Sequence, residues 1–132
     1  MSARWSASSL EKLAQLDPRL VEVVEFLRDH RDITIICTYR SPEDQLEAYN
    51  KGFSKVKLGK HNTKPSEAVD LQPYPVVPAS LREDLSYLAG MAIAYGKLRG
   101  YRIRWGGDWN GDGSTADNSF DDLFHLELVG TT

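Results

Sequence analysis

Gly59-Lys60-His61-Asn62-Thr63-Lys64-Pro65-Ser66-Glu67-Ala68-Val69-Asp70-Leu71 joins a polar, turn-rich loop to a short apolar run that ends on a carboxylate. Side chains alternate in a strand, so Val69 and Leu71 face one way while Ala68 and Asp70 face the other. The alternation recurs near the C-terminus: Phe124, Leu126 and Leu128 point to one side, His125 and Glu127 to the opposite one. Neighbouring strands of this kind would send Asp70 and His125 into one polar cleft, with His61 arriving from the loop. Imidazole and carboxylate are the donors a catalytic zinc takes when one position stays open for water. Each histidine taken singly reads equally as a surface residue. His30, at a helix end in Arg28-Asp29-His30-Arg31-Asp32, fits that plainer role as a cation near a helix C-terminus.

The chain has 132 residues, 41% hydrophobic and 27% charged. That predicts one soluble globular domain over residues 1–132, with a core of its own and no separate wall-binding domain. The single cysteine, Cys37, excludes an internal disulfide. Lying in Ile33-Thr34-Ile35-Ile36-Cys37, it is expected to pack in the core. Residues 1–9 contain no apolar signal-peptide segment, and no run approaches the about 18 apolar residues of a membrane span. A soluble, cytosolic product is expected, with no membrane insertion. The net charge of −3 and the lack of a basic stripe argue against nucleic acid as a partner.

Helix signals come early. Ser8-Ser9-Leu10-Glu11 has capping-box spacing, and Asp17-Pro18 opens a second helix with Leu20, Val23, Val24 and Leu27 as its buried stripe. Ile33 to Cys37 reads as a buried strand. Ser41-Pro42-Glu43-Asp44 starts a helix that Gly52 ends. Residues 52–66 read as loop and Ala68 to Gln72 as strand. Ser80-Leu81-Arg82-Glu83 has capping-box spacing ahead of the longest amphipathic helix, which carries Leu81, Leu85, Leu88, Ala92 and Tyr95 and ends near Gly100. Tyr101 to Trp105 alternates as a half-buried strand, and the loop from Gly106 to Asp122, about 17 residues, is long enough to suggest function. The fold class is α+β: a small, mostly antiparallel sheet with flanking helices.

Four motifs in order make the sequence recognisable. Thr38-Tyr39-Arg40-Ser41-Pro42-Glu43 leads to Gln45; Gly59-x-His61 leads to Ser66-x-Ala68-x-Asp70. Trp105-Gly106-Gly107-Asp108-Trp109 comes third, then Asp122-x-x-His125. Over residues 33–128 the chain resembles the VanY-like, D-Ala-D-Ala-carboxypeptidase-like zinc peptidases, the group that includes bacteriophage L-alanyl-D-glutamate endolysins. His61 and Asp70 lie nine positions apart, longer than the family's commoner spacing, and Ser66 stands where glycine is usual. The extra residues fall in the Asn62–Pro65 turn, ahead of the strand.

The resemblance implies the Hedgehog/D,D-peptidase-like zinc peptidase fold, with zinc held by His61, Asp70 and His125. It implies Asp122 as general base and acid, and Arg40 as a catalytic, substrate-binding group that stabilises the developing oxyanion. Gln45 would bind the peptide. Glu127, on His125's face, is expected to orient a metal ligand. Separately, Asp108, Asn110 and Asp112, with Gly113, match the start of an EF-hand loop. Its twelfth position is Ser119, so Asp117, Asp121 or Asp122 would have to complete a shell, and a plain Asn/Gly/Asp surface loop fits the same letters. Some endolysins of the family carry a regulatory calcium loop here, which adds Ca2+ to the expected ions.

The function implied is a peptidoglycan peptidase of the L-alanyl-D-glutamate type. It would be a monomeric phage endolysin made in the host cytoplasm and released to the wall through a membrane pore. A D,D-carboxypeptidase or dipeptidase acting on D-Ala-D-Ala ends fits the same motifs. A non-catalytic wall-binding or tail-associated module is the alternative outside enzymes.

Overall fold

The computed structural model describes residues 5–52, 59–116 and 121–130. Its strands are β1 (Ile33–Cys37), β2 (Ala68–Pro73), β3 (Ile103–Gly106) and β4 (Asp122–Leu128). They form one antiparallel sheet in the order β1-β2-β4-β3. The helices are α1 (Ala7–Leu13), α2 (Pro18–His30), α3 (Pro42–Asn50) and α4 (Leu81–Arg99). The expected α+β architecture is the observed one.

Alternation divides the sheet. Val69 pairs with Leu126, and Ile35 with Leu71. These apolar residues join Trp105 and Leu128 in a core completed by Leu20, Val23, Val24 and Leu27 of α2 and by Leu88, Ala89 and Ala92 of α4. Helices this short are marginal alone; burying each leucine or valine contributes about 1.5–3 kcal/mol, which fixes them to the sheet. Asp17 caps α2 by accepting from the Arg19 amide, and Gly100, at φ 82°, ends α4.

Two caps differ from expectation. Helix α1 is capped by Ser6, whose hydroxyl accepts from Ser9 N, rather than by Ser8. The earlier start turns Ser9 inward, where its Oγ lies 3.5 Å from Ile35 N. At α4 the Ser80 side chain makes no capping bond and donates to Asp84 Oδ2. A 3-10 turn over Pro78–Ser80 runs straight into the helix, and the Pro78 carbonyl accepts from the Leu81 amide instead. Among the described residues no helix is long and apolar enough to cross a membrane.

The other sheet face is polar, and two irregularities shape it. Ile35 pairs with Leu71 and Cys37 with Asp70, so Ile36 is an extra residue bulged out of β1. The bulge reverses the facing of the residues after it. Cys37 therefore leaves the core expected for it, is half-buried, and lies on the same side as Asp70. On the far edge Trp105 pairs with Leu126 but Gly106 pairs with Asp122. A Cβ on Gly106 would sit 2.0 Å from the Asp122 carbonyl oxygen, and one on Gly107 2.4 Å from the Trp105 ring. Both glycines are there because backbone and indole need the space.

Candidate metal centre

Asp70 and His125 are directly opposed residues of β2 and β4, so their side chains leave the sheet on one face. His125 Nδ1 lies 3.0 Å from Asp70 Oδ1, and His61 Nε2 lies 3.3 Å from the same oxygen. Both histidines are buried, 6% and 7% exposed, and the two ring centroids are 5.1 Å apart. The carboxylate sits between the imidazoles as their shared partner.

The outward nitrogen of each ring is also engaged. His61 rides on a 3-10 turn over Lys60–Asn62 and donates Nδ1–H to the Thr38 carbonyl at 2.6 Å. Thr38 is itself anchored, its hydroxyl donating to the Lys12 carbonyl at the end of α1. His125 donates Nε2–H to Glu127 Oε1 at 2.8 Å, and the Trp109 ring lies 5.7 Å from the imidazole. These bonds select the tautomers that leave His61 Nε2 and His125 Nδ1 toward Asp70. An outer partner on each non-ligating nitrogen is the usual support of a metal-binding histidine.

Burial disfavours the charged imidazoles, but Asp70 outweighs it and holds His61 at about 10 and His125 at about 9 in the metal-free site. Burial likewise opposes ionisation of Asp70, yet the two histidines keep its carboxyl well below the usual range. A metal ion would take the place of the protons that now bind the three groups together.

Groups of three possible donors within 4.8 Å of one another are, among the described residues, Cys37–His61–Asp70 and Asp70–Asp122–His125. Asp70 belongs to both. The Cys37 sulfur approaches His61 at Nδ1, 3.9 Å away, which is the nitrogen already given to Thr38. Asp122 Oδ2 stands 4.0 Å from His125 Nδ1, too far for a hydrogen bond. Burial, and then the Asp70 charge, raise the Asp122 carboxyl above its ordinary range.

Arg40 is half-buried between β1 and α3. Its Nη1 donates to Gln45 Oε1 at 2.9 Å, and its Nη2 lies 3.7 Å from Cys37 Sγ. Gln45, one turn into α3, is 2% exposed. The Arg40 backbone is tied to the histidine turn: its N–H donates to the His61 carbonyl, and its carbonyl accepts from Asn62 Nδ2 at 2.7 Å. Asn62 Oδ1 in turn accepts from Gly59 N at 2.6 Å. This clamp was not read in the sequence, where Asn62 passes for an ordinary turn residue; its place directly after His61 was the available signal. Ser66 is fully buried and fixes the same loop from behind, with its hydroxyl near the Thr38 and Ala68 carbonyls and its backbone bonded to Gln15 and Asp17. The departure from glycine there is a packed, bonded position.

Asp108, Asn110 and Asp112 share one tight turn away from these donor groups. Asp108 Oδ2 accepts from Gly113 N, Asn110 Oδ1 from Asp112 N, and Asp112 Oδ1 from Ser114 N. Asp108 Oδ1 is buried without a hydrogen-bond partner among the described residues. Asp117 and Ser119 lie outside the described residues.

A search of curated proteins returns no match. Among solved structures, the crystal structure of the Serratia marcescens L-Ala D-Glu endopeptidase ChiX is similar in fold, at 22% identity and a TM-score of 0.72. The match covers 97% of this chain and 91% of that one. The sequence model described as phage L-alanyl-D-glutamate peptidase matches residues 1–129, taking in the N-terminal helices as well as the four motifs. With that match running to the end of β4, the chain belongs to the phage L-alanyl-D-glutamate peptidase family and is a peptidoglycan peptidase.

Proposed function

We propose that the chain is a zinc-dependent endopeptidase that hydrolyses the L-alanyl-D-glutamate bond of the peptidoglycan stem peptide and serves a phage as an endolysin. The observation that carries the zinc reading is the His61–Asp70–His125 arrangement with both outward ring nitrogens engaged. Its His–Asp donor separations of 3.0 and 3.3 Å are close to the roughly 3.3 Å between ligands of a tetrahedral zinc, while the His61 and His125 nitrogens facing Asp70 stand more than 4.8 Å apart and would close on the ion. Two neutral imidazoles and one carboxylate suit a borderline-soft divalent ion and leave it net positive.

When bound, zinc would supply Lewis acidity toward the scissile carbonyl and an acidified water. The chain's own groups do the rest. Asp122, beside His125 but not bonded to it, takes a proton from the attacking water and delivers it to the departing amine of D-glutamate. Its raised pKa favours a group that must hold that proton between the two steps. Arg40, oriented by Gln45 and by the Asn62 clamp, presents a fixed guanidinium to the substrate and to the developing oxyanion. Gln45, buried beside the guanidinium, acts on the peptide through Arg40. Asp70 keeps both histidines aimed.

Calcium at Asp108, Asn110 and Asp112 belongs to the same proposal. It is supported by the unpartnered Asp108 oxygen and by the contact of Trp109, in this loop, with His125. The enzyme would act as a monomeric single domain, reaching the wall from the host cytoplasm through a membrane pore.

Digestion of purified muropeptides, with mass spectrometry of the products, tests the bond. A new D-glutamate amino terminus is expected; release of terminal D-alanine would establish the D,D-peptidase alternative. Bound zinc by elemental analysis, lost with activity in His125→Ala, tests the centre, and undiminished hydrolysis by that variant would refute it. Activity unaffected by a calcium-selective chelator, with zinc retained, would remove calcium from the account.

A further inference from the structure

Arg104 is no candidate ligand, yet it touches two of the groups that hold the His125 imidazole, Glu127 and Trp109. It is the cross-strand partner of Glu127, so their side chains share the polar face. Its Nε and Nη2 donate to Glu127 Oε2 at 3.2 and 2.7 Å, while Oε1 accepts from His125. The two carboxylate oxygens are thus divided, one to the arginine and one to the histidine. The guanidinium carbon also lies 5.9 Å from the Trp109 ring centroid, on the ring that packs against His125.

Glu127 is 7% exposed, and among the described residues its cationic partners are Arg104 and, when protonated, His125. A buried carboxylate that loses the two N–H groups holding one of its oxygens turns that oxygen toward water. Its bond to His125 Nε2–H then changes, and so does the direction of the opposite ring nitrogen. Two N–H groups converge on one carboxylate oxygen, and the same guanidinium lies beside the indole, its carbon 5.9 Å from the ring centroid. A lysine ammonium lacks this fixed fork.

We propose that Arg104 is a positioning residue of the metal centre. By fixing Glu127 and Trp109 together, it holds His125 with Nδ1 turned to Asp70. The inference rests on the zinc reading of the site. It adds that the affinity of the centre depends on a residue of β3 that acts through Glu127 and Trp109.

The test compares wild type, Arg104→Lys, Arg104→Met and Glu127→Gln by zinc competition against a chromophoric chelator and by the visible spectrum of the cobalt-substituted proteins. Steady-state cleavage of muropeptide is measured alongside. Arg104→Met should weaken zinc binding about ten- to hundredfold, alter the cobalt spectrum, and lower kcat with KM little changed at saturating zinc. Arg104→Lys should fall between it and wild type. The double variant with Glu127→Gln should be no weaker than Glu127→Gln alone, because one residue acts through the other. If Arg104→Met is unfolded by circular dichroism, the lysine variant decides, and a folded Arg104→Lys with wild-type zinc affinity and cobalt spectrum overturns the proposal. So does wild-type behaviour of a folded Arg104→Met. A wild-type protein that binds no zinc would overturn the metal reading itself, and this inference with it.

Discussion

Asp122 and Asn62 stand at opposite ends of what a residue can do for this site. Asp122 lies 4.0 Å from His125 Nδ1, close enough to share the cleft and too far to be held by that ring. If it moves the proton without ligating, Asp122→Asn should keep its zinc and lose about 10²–10⁴ in kcat. Elemental analysis beside initial rates checks both halves, and loss of the metal would mean that Asp122 is a ligand. Asn62 touches no reacting atom. Its carboxamide joins Gly59 to Arg40, so Asn62→Ala leaves the arginine's backbone tied to the histidine turn only by its N–H bond to the His61 carbonyl. Loss of two hydrogen bonds predicts destabilisation of about 1–3 kcal/mol, read by denaturant unfolding. KM should rise, because Arg40 is the proposed substrate-facing group. An unchanged KM would detach the clamp from substrate binding. The family motif marks His61 as a candidate donor; nothing in the letters shows which carbonyl Asn62 will reach. That partner comes from another segment of the chain, and only the fold brings it near.

At the level of strands and helices, alternation was the legible part and the interruptions were not. Period-2 patterning placed Asp70 and His125 on the polar faces of β2 and β4, and the 3.6-residue stripe of α2 placed Leu20, Val23, Val24 and Leu27 inside. The bulge at Ile36 defeats the same reasoning for Cys37. A short run of apolar and β-branched residues reads as buried, and the extra residue that turns the sulfur toward His61 has no local signature. Arg104 escaped for a related reason: an arginine on an alternating strand reads as solvated until the register sets Glu127 opposite it. The far-edge irregularity carries its own prediction. A methyl group on Gly106 would meet the Asp122 carbonyl oxygen at 2.0 Å and its Cβ at 2.9 Å. Gly106→Ala should therefore cost about 1–3 kcal/mol of stability and displace Asp122. Activity should fall more than the folded fraction explains, with zinc retained. Thermal unfolding beside specific activity per folded molecule separates the two effects, and full specific activity would show that the Gly106 contact does not place Asp122.

Across the whole molecule, the metal-free site makes stability depend on pH in a direction that zinc should reverse. The folded state raises His61 from 6.5 to about 10 and His125 from 6.5 to about 9, so each binds its proton more tightly folded than unfolded. Their contribution is complete below about pH 6.5 and is lost as pH rises through about 9 to 10. Asp70 and Glu127 are shifted downward, so theirs is present above the ordinary carboxylate range and is lost only in acid. The chelated protein should accordingly be most stable between about pH 4.5 and 6.5 and weaken steadily above. Zinc competes for the same nitrogens, and near pH 7 its binding must expel about two protons. Calorimetric titrations in buffers of different ionisation enthalpy will count them. Because proton competition fades as pH rises, zinc stabilisation should grow with pH. The gap in Tm between zinc-loaded and chelated protein should therefore widen from about pH 6 to about pH 9. A gap that stays constant, with no proton released on binding, would place the metal away from His61 and His125.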